Sequence, residues 1–219
     1  MTVRGKFVTF EGIEAVGKST QIARAARHLA GQGIECVVSR EPGGTPVAEA
    51  LRQLLLEPQP EPLDGTAEML LMFAARSIHV SNHIRPALER GAWVLCDRFT
   101  DATEAYQGAG RGLPLEQVRQ LEQIAQHGLR PDLTLLFDLP VPLALARARA
   151  RGGQDDRFEQ ERQEFFERVR AGYLAILRRE PGRMRRIDAS GSVNEVAGAV
   201  TAALDGLAGQ AAAGAAHGA

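Results

Sequence analysis

The chain has almost no cysteine, few aromatics and no excess of charge of either sign, and each shortage removes a class of protein. Only Cys36 and Cys96 occur in 219 residues. Each sits in an apolar, strand-like run, so a disulfide framework is ruled out and both read as buried free thiols. Lys and Arg number 26 against 27 Asp and Glu, a formal net charge of −1, which argues against a sequence-independent grip on nucleic acid or an anionic membrane. No apolar run approaches the roughly 20 residues needed to cross a bilayer. Nothing at the N-terminus has the charged start, apolar core and cleavage site of an export signal. A soluble, cytoplasmic protein is expected. His79 and His83 stand at i, i+4, but no third ligand lies at a recognisable spacing, so no metal centre is expected there.

Apolar segments at Phe7–Phe10, Cys36–Val38, Ala92–Cys96, Leu133–Phe137 and Met184–Ile187 alternate with helical stretches. That alternation predicts an α/β domain on a mainly parallel sheet, with ligands bound beyond the carboxyl ends of its strands. One domain over residues 1–207 is expected, followed by a loose Ala/Gly-rich tail at 208–219.

The residues Gly12-Ile13-Glu14-Ala15-Val16-Gly17-Lys18-Ser19 satisfy the pattern of a P-loop, between an apolar strand and a helix. The two glycines let backbone N–H groups converge on phosphate oxygens. Lys18 adds a point charge, and the Ser19 hydroxyl suits the shell of a Mg²⁺ ion. A GTPase would need Asn-Lys-x-Asp to read guanine, and neither Asn82 nor Asn194 is followed by Lys. Asp97, at the end of "WVLCD", suits support of the metal, with Asp138 a rival on the same logic. Arg98 beside it suits a second phosphate group. In "ARARARGGQDDRFEQE" the arginines at 147, 149, 151 and 157 flank a glycine pair and read as a lid over about 147–158.

Taken in order, these pieces resemble thymidylate kinases from Lys6 to about Leu204. The likeness rests on the P-loop with Glu14, "REPGGT" at Arg40–Thr45, the helix around Arg76, "DRF" at Asp97–Phe99, "AYQG" at Ala105–Gly108 and "DRFE" at Asp156–Glu159. It implies a P-loop kinase fold with a five-stranded parallel sheet, ATP and Mg²⁺ as cofactors, dTMP as acceptor and a homodimer. Carried over by position, Gly12 to Thr20 would hold ATP, with Ser19 and Asp97 at the metal. Lys18, Glu14, Arg98 and the lid residues Arg147, Arg149, Arg151 and Arg157 would serve catalysis. Glu41, Pro42, Arg52, Met72, Phe73, Arg76, Arg98, Thr103, Tyr106 and Gln107 would bind dTMP. Tyr106 would exclude a ribose 2′-hydroxyl.

Three positions depart from the family pattern. Ala15 stands where relatives carry Gly or a catalytic Arg, so the charge on the transferred group must come from the lid. Met72 stands where an aromatic would stack on the base, with Phe73 next to it. Ala102 replaces a common Ser. Two other readings stay open: a kinase for another nucleoside monophosphate or deoxynucleoside, and a non-catalytic P-loop protein that binds ATP as a signal.

Overall fold

The computed structural model describes residues 4–58, 60–150 and 159–217. Five parallel strands, β1 (Phe7–Glu11), β2 (Cys36–Arg40), β3 (Trp93–Asp97), β4 (Leu133–Asp138) and β5 (Met184–Asp188), lie in the order β2-β3-β1-β4-β5. The middle strand β1 is covered on both faces, which is why it reads as an unbroken apolar run: Phe7, Val8 and Phe10 are fully buried. Phe10 pairs with Asp97 and Arg40 also pairs with Asp97, while Asp138 pairs with Asp188. The polar ends of the strands are thereby set along one edge of the sheet. Each strand runs one or two residues past its apolar segment, because Glu11, Arg40, Asp97, Asp138 and Asp188 keep the ladder while their side chains do other work.

Helices fill both faces. α1 (Lys18–Gly31) buries Ile22, Ala25 and Leu29 along one stripe and packs on α9 (Val193–His217), which answers with Val196, Val200 and Leu204. α9 carries helix through the Ala/Gly-rich segment that was expected to be a loose tail, and the reason is the high helix propensity of its alanines. α2 (Pro46–Leu56) starts at Thr45, whose hydroxyl accepts from Ala48 N–H, and α3 (Gly65–His79) starts at Asp64, whose carboxylate accepts from Ala67 N–H. After α3 a π-helical turn, Val80–Ile84, leads to α4 (Arg85–Glu89). A short α5 (Thr100–Thr103) follows β3 and passes into a second π-helical segment, Glu104–Gly110. α6 (Leu115–Gln126) pairs with α3, and α7 (Val141–Arg149) precedes α8 (Glu159–Arg179). α8 lays Phe166, Val169, Tyr173 and Ile176 towards the core and crosses the second π-helical segment closely. The approach requires glycine, since a Cβ at Gly110 would overlap Phe165 and Val169, and one at Gly172 would overlap Ala109. No helix among the described residues is long and apolar enough to cross a membrane.

One buried ion pair anchors the segment that carries α5. Both oxygens of Asp101 accept from Arg183 at 2.7 Å, and Arg183 also donates to Thr134 Oγ1 at 2.9 Å. Arg183→Met leaves Asp101 buried without its cation and is expected to cost about 3–5 kcal/mol in urea unfolding. Adding Asp101→Asn should return much of that loss; a single variant as stable as the parent would show the pair to be dispensable.

Candidate active site

The loop between β1 and α1 is wound as its glycines allow: Gly12 has φ 134° and Gly17 φ 93°, and Ala15 sits at φ 58°, the left-handed region a β-carbon makes costly. Ile13 and Val16 are buried and pin the loop to the core. Lys18 is almost fully buried and donates to Gly12 O at 3.3 Å and Ile13 O at 3.0 Å. Burial and the nearby Arg98 charge lower its pKa to about 7. Ser19 and Thr20 open the helix on its exposed side, and Glu14 projects outwards, 3.2 Å from Arg162 of α8.

The turn after β3 is strained at one residue. Arg98 has φ 69°, a conformation costing roughly 1–2 kcal/mol for a residue with a β-carbon. It is held from both sides: Arg98 N–H donates to Phe10 O at 3.0 Å, and Phe99 N–H donates to Glu11 Oε1 at 2.7 Å. Glu11 Oε2 accepts from the Tyr173 hydroxyl at 2.8 Å. Complete burial, with Asp101 nearby, raises the Glu11 pKa to about 8. The Arg98 guanidinium donates to the Tyr106 hydroxyl at 2.8 Å and lies 4.5 Å over that ring. Burial pulls its pKa down, but Tyr106, Tyr173 and Glu11 more than offset this and hold it above the usual value.

The rival carboxylates are treated differently. Asp138 accepts from Arg170 at 2.7 and 3.1 Å and from Arg186 at 2.8 Å, so both its oxygens are taken, and these hydrogen bonds outweigh burial to keep its pKa low. Asp97 Oδ1 is buried, has no hydrogen-bond partner and lies 4.0 Å from Lys18 Nζ.

Arg98 lines a cleft of about 550 Å³ together with Glu14, Lys18 and Asp97 and with Met72, Arg76 and Gln107. Glu41, Pro42, Arg52, Thr103 and Tyr106 line it too. Arg52 donates to Pro42 O at 2.8 Å, fastening α2 to the loop after β2, where the Glu41–Pro42 peptide is cis. Arg76 is buried, with Nε on Glu41 Oε2 at 2.6 Å and Nη2 on Thr103 Oγ1 at 3.0 Å; Nη1 has no partner. Gln107 donates from Nε2 to Glu68 at 2.6 Å, while its Oε1 is buried and unpartnered. Buried polar atoms are ordinarily paired, so orphans gathered in one cleft point to a ligand.

Two expected site residues are placed elsewhere. Phe73 is turned from the cleft into the α3–α6 core with Met69, Val118 and Ala125, because one step along a helix rotates the side chain by about 100°. It still supports Arg76, whose guanidinium lies 4.6 Å over its ring. Arg147 donates to Ala189 O at 2.8 Å and towards Ser190 O, so it braces the loop after β5 instead of reaching over the phosphates. Arg149 ends α7, and residues 151–158 of the expected lid, Arg151 and Arg157 among them, lie outside the described residues. The residues that sequence reasoning missed are the supports: Glu11, Tyr173, Glu68 and Arg162. Glu11 alone left a trace, as a charged residue ending the central apolar strand.

The comparisons agree on one family. The family model described as thymidylate kinase matches residues 10–200. A thymidylate kinase of Chromohalobacter salexigens is 57% identical over 201 residues, covering 91% of this chain and 95% of the relative. One from Alkalilimnicola ehrlichii is 55% identical, covering 92% and 93%. Among solved structures, a thymidylate kinase of Ehrlichia chaffeensis superposes with a TM-score of 0.76 at 33% identity, covering 92% of this chain and 99% of that one.

Proposed function

The chain belongs to the thymidylate kinase family and phosphorylates dTMP to dTDP, and from that premise we propose how its own residues carry out the transfer. ATP is the donor, its phosphates seated on the N–H groups from Gly12 to Thr20 at the positive end of α1. Lys18 exchanges the carbonyls of Gly12 and Ile13 for phosphate oxygens. Asp97, whose buried Oδ1 has no hydrogen-bond partner, and the Ser19 hydroxyl have the oxygen chemistry that Mg²⁺ requires. Held there, Mg²⁺ would supply positive charge against the donor phosphates. Asp138, occupied by two arginines, is the poorer candidate.

The acceptor needs no general base, because a phosphate monoester with a second pKa near about 6 is largely ionised at neutral pH. Alignment and charge neutralisation are the remaining tasks. Arg98, fixed by Tyr106 and the strained turn, meets both phosphates, and Arg52 binds the dTMP phosphate. Glu14, at the donor end, lies near the reacting centre. Arg149, Arg151 and Arg157 remain the lid cations for the transferred group, which Ala15 cannot supply.

The observation that carries the choice of base is the two unpartnered atoms on Arg76 and Gln107, which both line the cleft. Arg76 Nη1 is a donor and Gln107 Oε1 an acceptor, a combination that complements the adjoining C=O and N–H of a thymine imide. Cytosine offers an amine and a bare nitrogen there and mismatches both. Met72 covers the base face, and Tyr106 fills the space beside the sugar. Glu41 and Pro42 shape the wall beneath. We further infer a homodimer through the α3–α6 side, where Leu70 and Ile124 are exposed, and action in the cytoplasm.

The test is ADP release from Mg-ATP with dTMP, dUMP, ribothymidine monophosphate, dCMP, dGMP, AMP and thymidine offered singly. dTMP should lead, with dCMP at least roughly 10²-fold poorer because buried polar groups would be left unpaired. Equal use of dCMP would remove the imide argument, and release independent of acceptor would favour a signalling P-loop protein.

A further inference from the structure

His79 is fully buried at the last turn of α3 and is absent from the walls of the cleft. Both its ring nitrogens are nevertheless engaged: Nδ1 lies 3.0 Å from Glu41 Oε1 and Nε2 lies 2.7 Å from Ser39 Oγ. A carboxylate only accepts, so Nδ1 carries a hydrogen and, in the neutral ring, Nε2 accepts from the serine hydroxyl. Arg76 lies three residues earlier on the same helix face, and its Nε takes the other oxygen of Glu41 at 2.6 Å. The connected groups thus run Ser39, His79, Glu41, Arg76 and Thr103, and end on the unpartnered Nη1.

We propose that His79 is a positioning residue for acceptor recognition: by occupying one oxygen of Glu41 it keeps that carboxylate a single-oxygen partner of Arg76 and so aims Nη1 at the base. The reason lies in what an arginine and a free carboxylate do together. Arg179 and Glu104 show it in this same protein: with no other side chain among the described residues on the carboxylate, they form a two-point fork at 2.8 and 2.7 Å. Released from His79, Glu41 would close a two-point fork on Arg76, take Nη2 from Thr103 and rotate the guanidinium. The site leaves little room for another arrangement. Gly44 folds directly onto the pair, and a Cβ there would overlap both His79 Nε2 and Ser39 Oγ.

The inference rests on Arg76 reading the base, and the experiment separates the two. Asn at 79 places an amide donor where Nδ1 stands and keeps Glu41 engaged, whereas Gln reaches Ser39 and leaves Glu41 free; the two differ little in size and polarity. His79→Gln is expected to raise KM for dTMP about tenfold, the worth of one hydrogen bond, with KM for ATP changed much less. It should also narrow the preference for dTMP over dCMP. His79→Asn is expected to stay within about threefold of the parent in both respects. If the two variants raise KM equally, or neither raises it, His79 only fills space and the proposal fails. Arg76→Met runs alongside: no rise in KM for dTMP there would overturn the base reading itself, and a rise there with a silent His79→Gln would overturn the relay alone.

Discussion

Alanine at Arg98 is expected to lower kcat roughly 10³-fold while weakening dTMP binding by no more than about tenfold. In the transfer proposed above the guanidinium meets both the donor and the acceptor phosphate, and the charge it would face grows and spreads as the phosphoryl group passes between them. An interaction that strengthens in the transition state appears in kcat, and one made equally before it appears in KM. The fold should survive the change, because the strained turn is held by backbone: Arg98 N–H on Phe10 O, and Phe99 N–H on Glu11. Alanine bears the same φ penalty as arginine and adds none. Single-turnover kinetics with calorimetric dTMP binding checks the split. Equal losses in both would count against a bridging role and leave Arg98 as an acceptor clamp only. Arg98→Lys should recover little, since a point charge replaces a planar fork that Tyr106 orients at 2.8 Å.

Lys18→Ala should abolish measurable turnover, a loss of roughly 10³-fold or more, without unfolding the protein. In the folded protein Lys18 is poorly solvated and close to Arg98, and its pKa falls from 10.5 to about 7. The unfolded chain therefore holds more protons than the folded one between those two values, so stability rises with pH across that window. Below about pH 7 the full cost of the buried charge is present, and removing Lys18 is expected to leave the melting temperature unchanged or higher. Donor phosphates reverse the environment and draw the pKa back up. ATP binding near pH 8 is thus expected to take up protons in the parent and fewer in the variant, measured by calorimetry in buffers of different ionisation heat. An uptake that survives in Lys18→Ala would move the proton to another group, and Glu11, with its own raised pKa, is the first to examine.

The P-loop and the alternation of strands and helices were legible because both are local. Glycine spacing reports the backbone directly, and an unbroken apolar run such as Phe7–Phe10 reports a strand covered on both faces. The boundaries were less legible, since residues such as Asp97 and Asp138 belong to strands by hydrogen bonding and to the site by chemistry. Sequence pattern weighed those two carboxylates on adjacency to Arg98 alone. Tertiary structure separates them by partners, two arginines hydrogen-bonded to Asp138 and, on Asp97, only Lys18 at 4.0 Å with Oδ1 left without a hydrogen bond.

By itself, the sequence determined the fold class, the glycine-bearing loop between β1 and α1 and the family, because those depend on residues adjacent in the chain or on many positions read together. What only the tertiary structure decided is where each side chain points and which polar atoms are left free: Met72 at the cleft and Phe73 in the core, Arg147 turned to carbonyls, Arg76 with one nitrogen to spare. A side chain's hydrogen-bonding capacity is written in its residue type, but whether that capacity is spent depends on partners tens of residues away. Burial then makes every unspent donor or acceptor costly unless a ligand completes it.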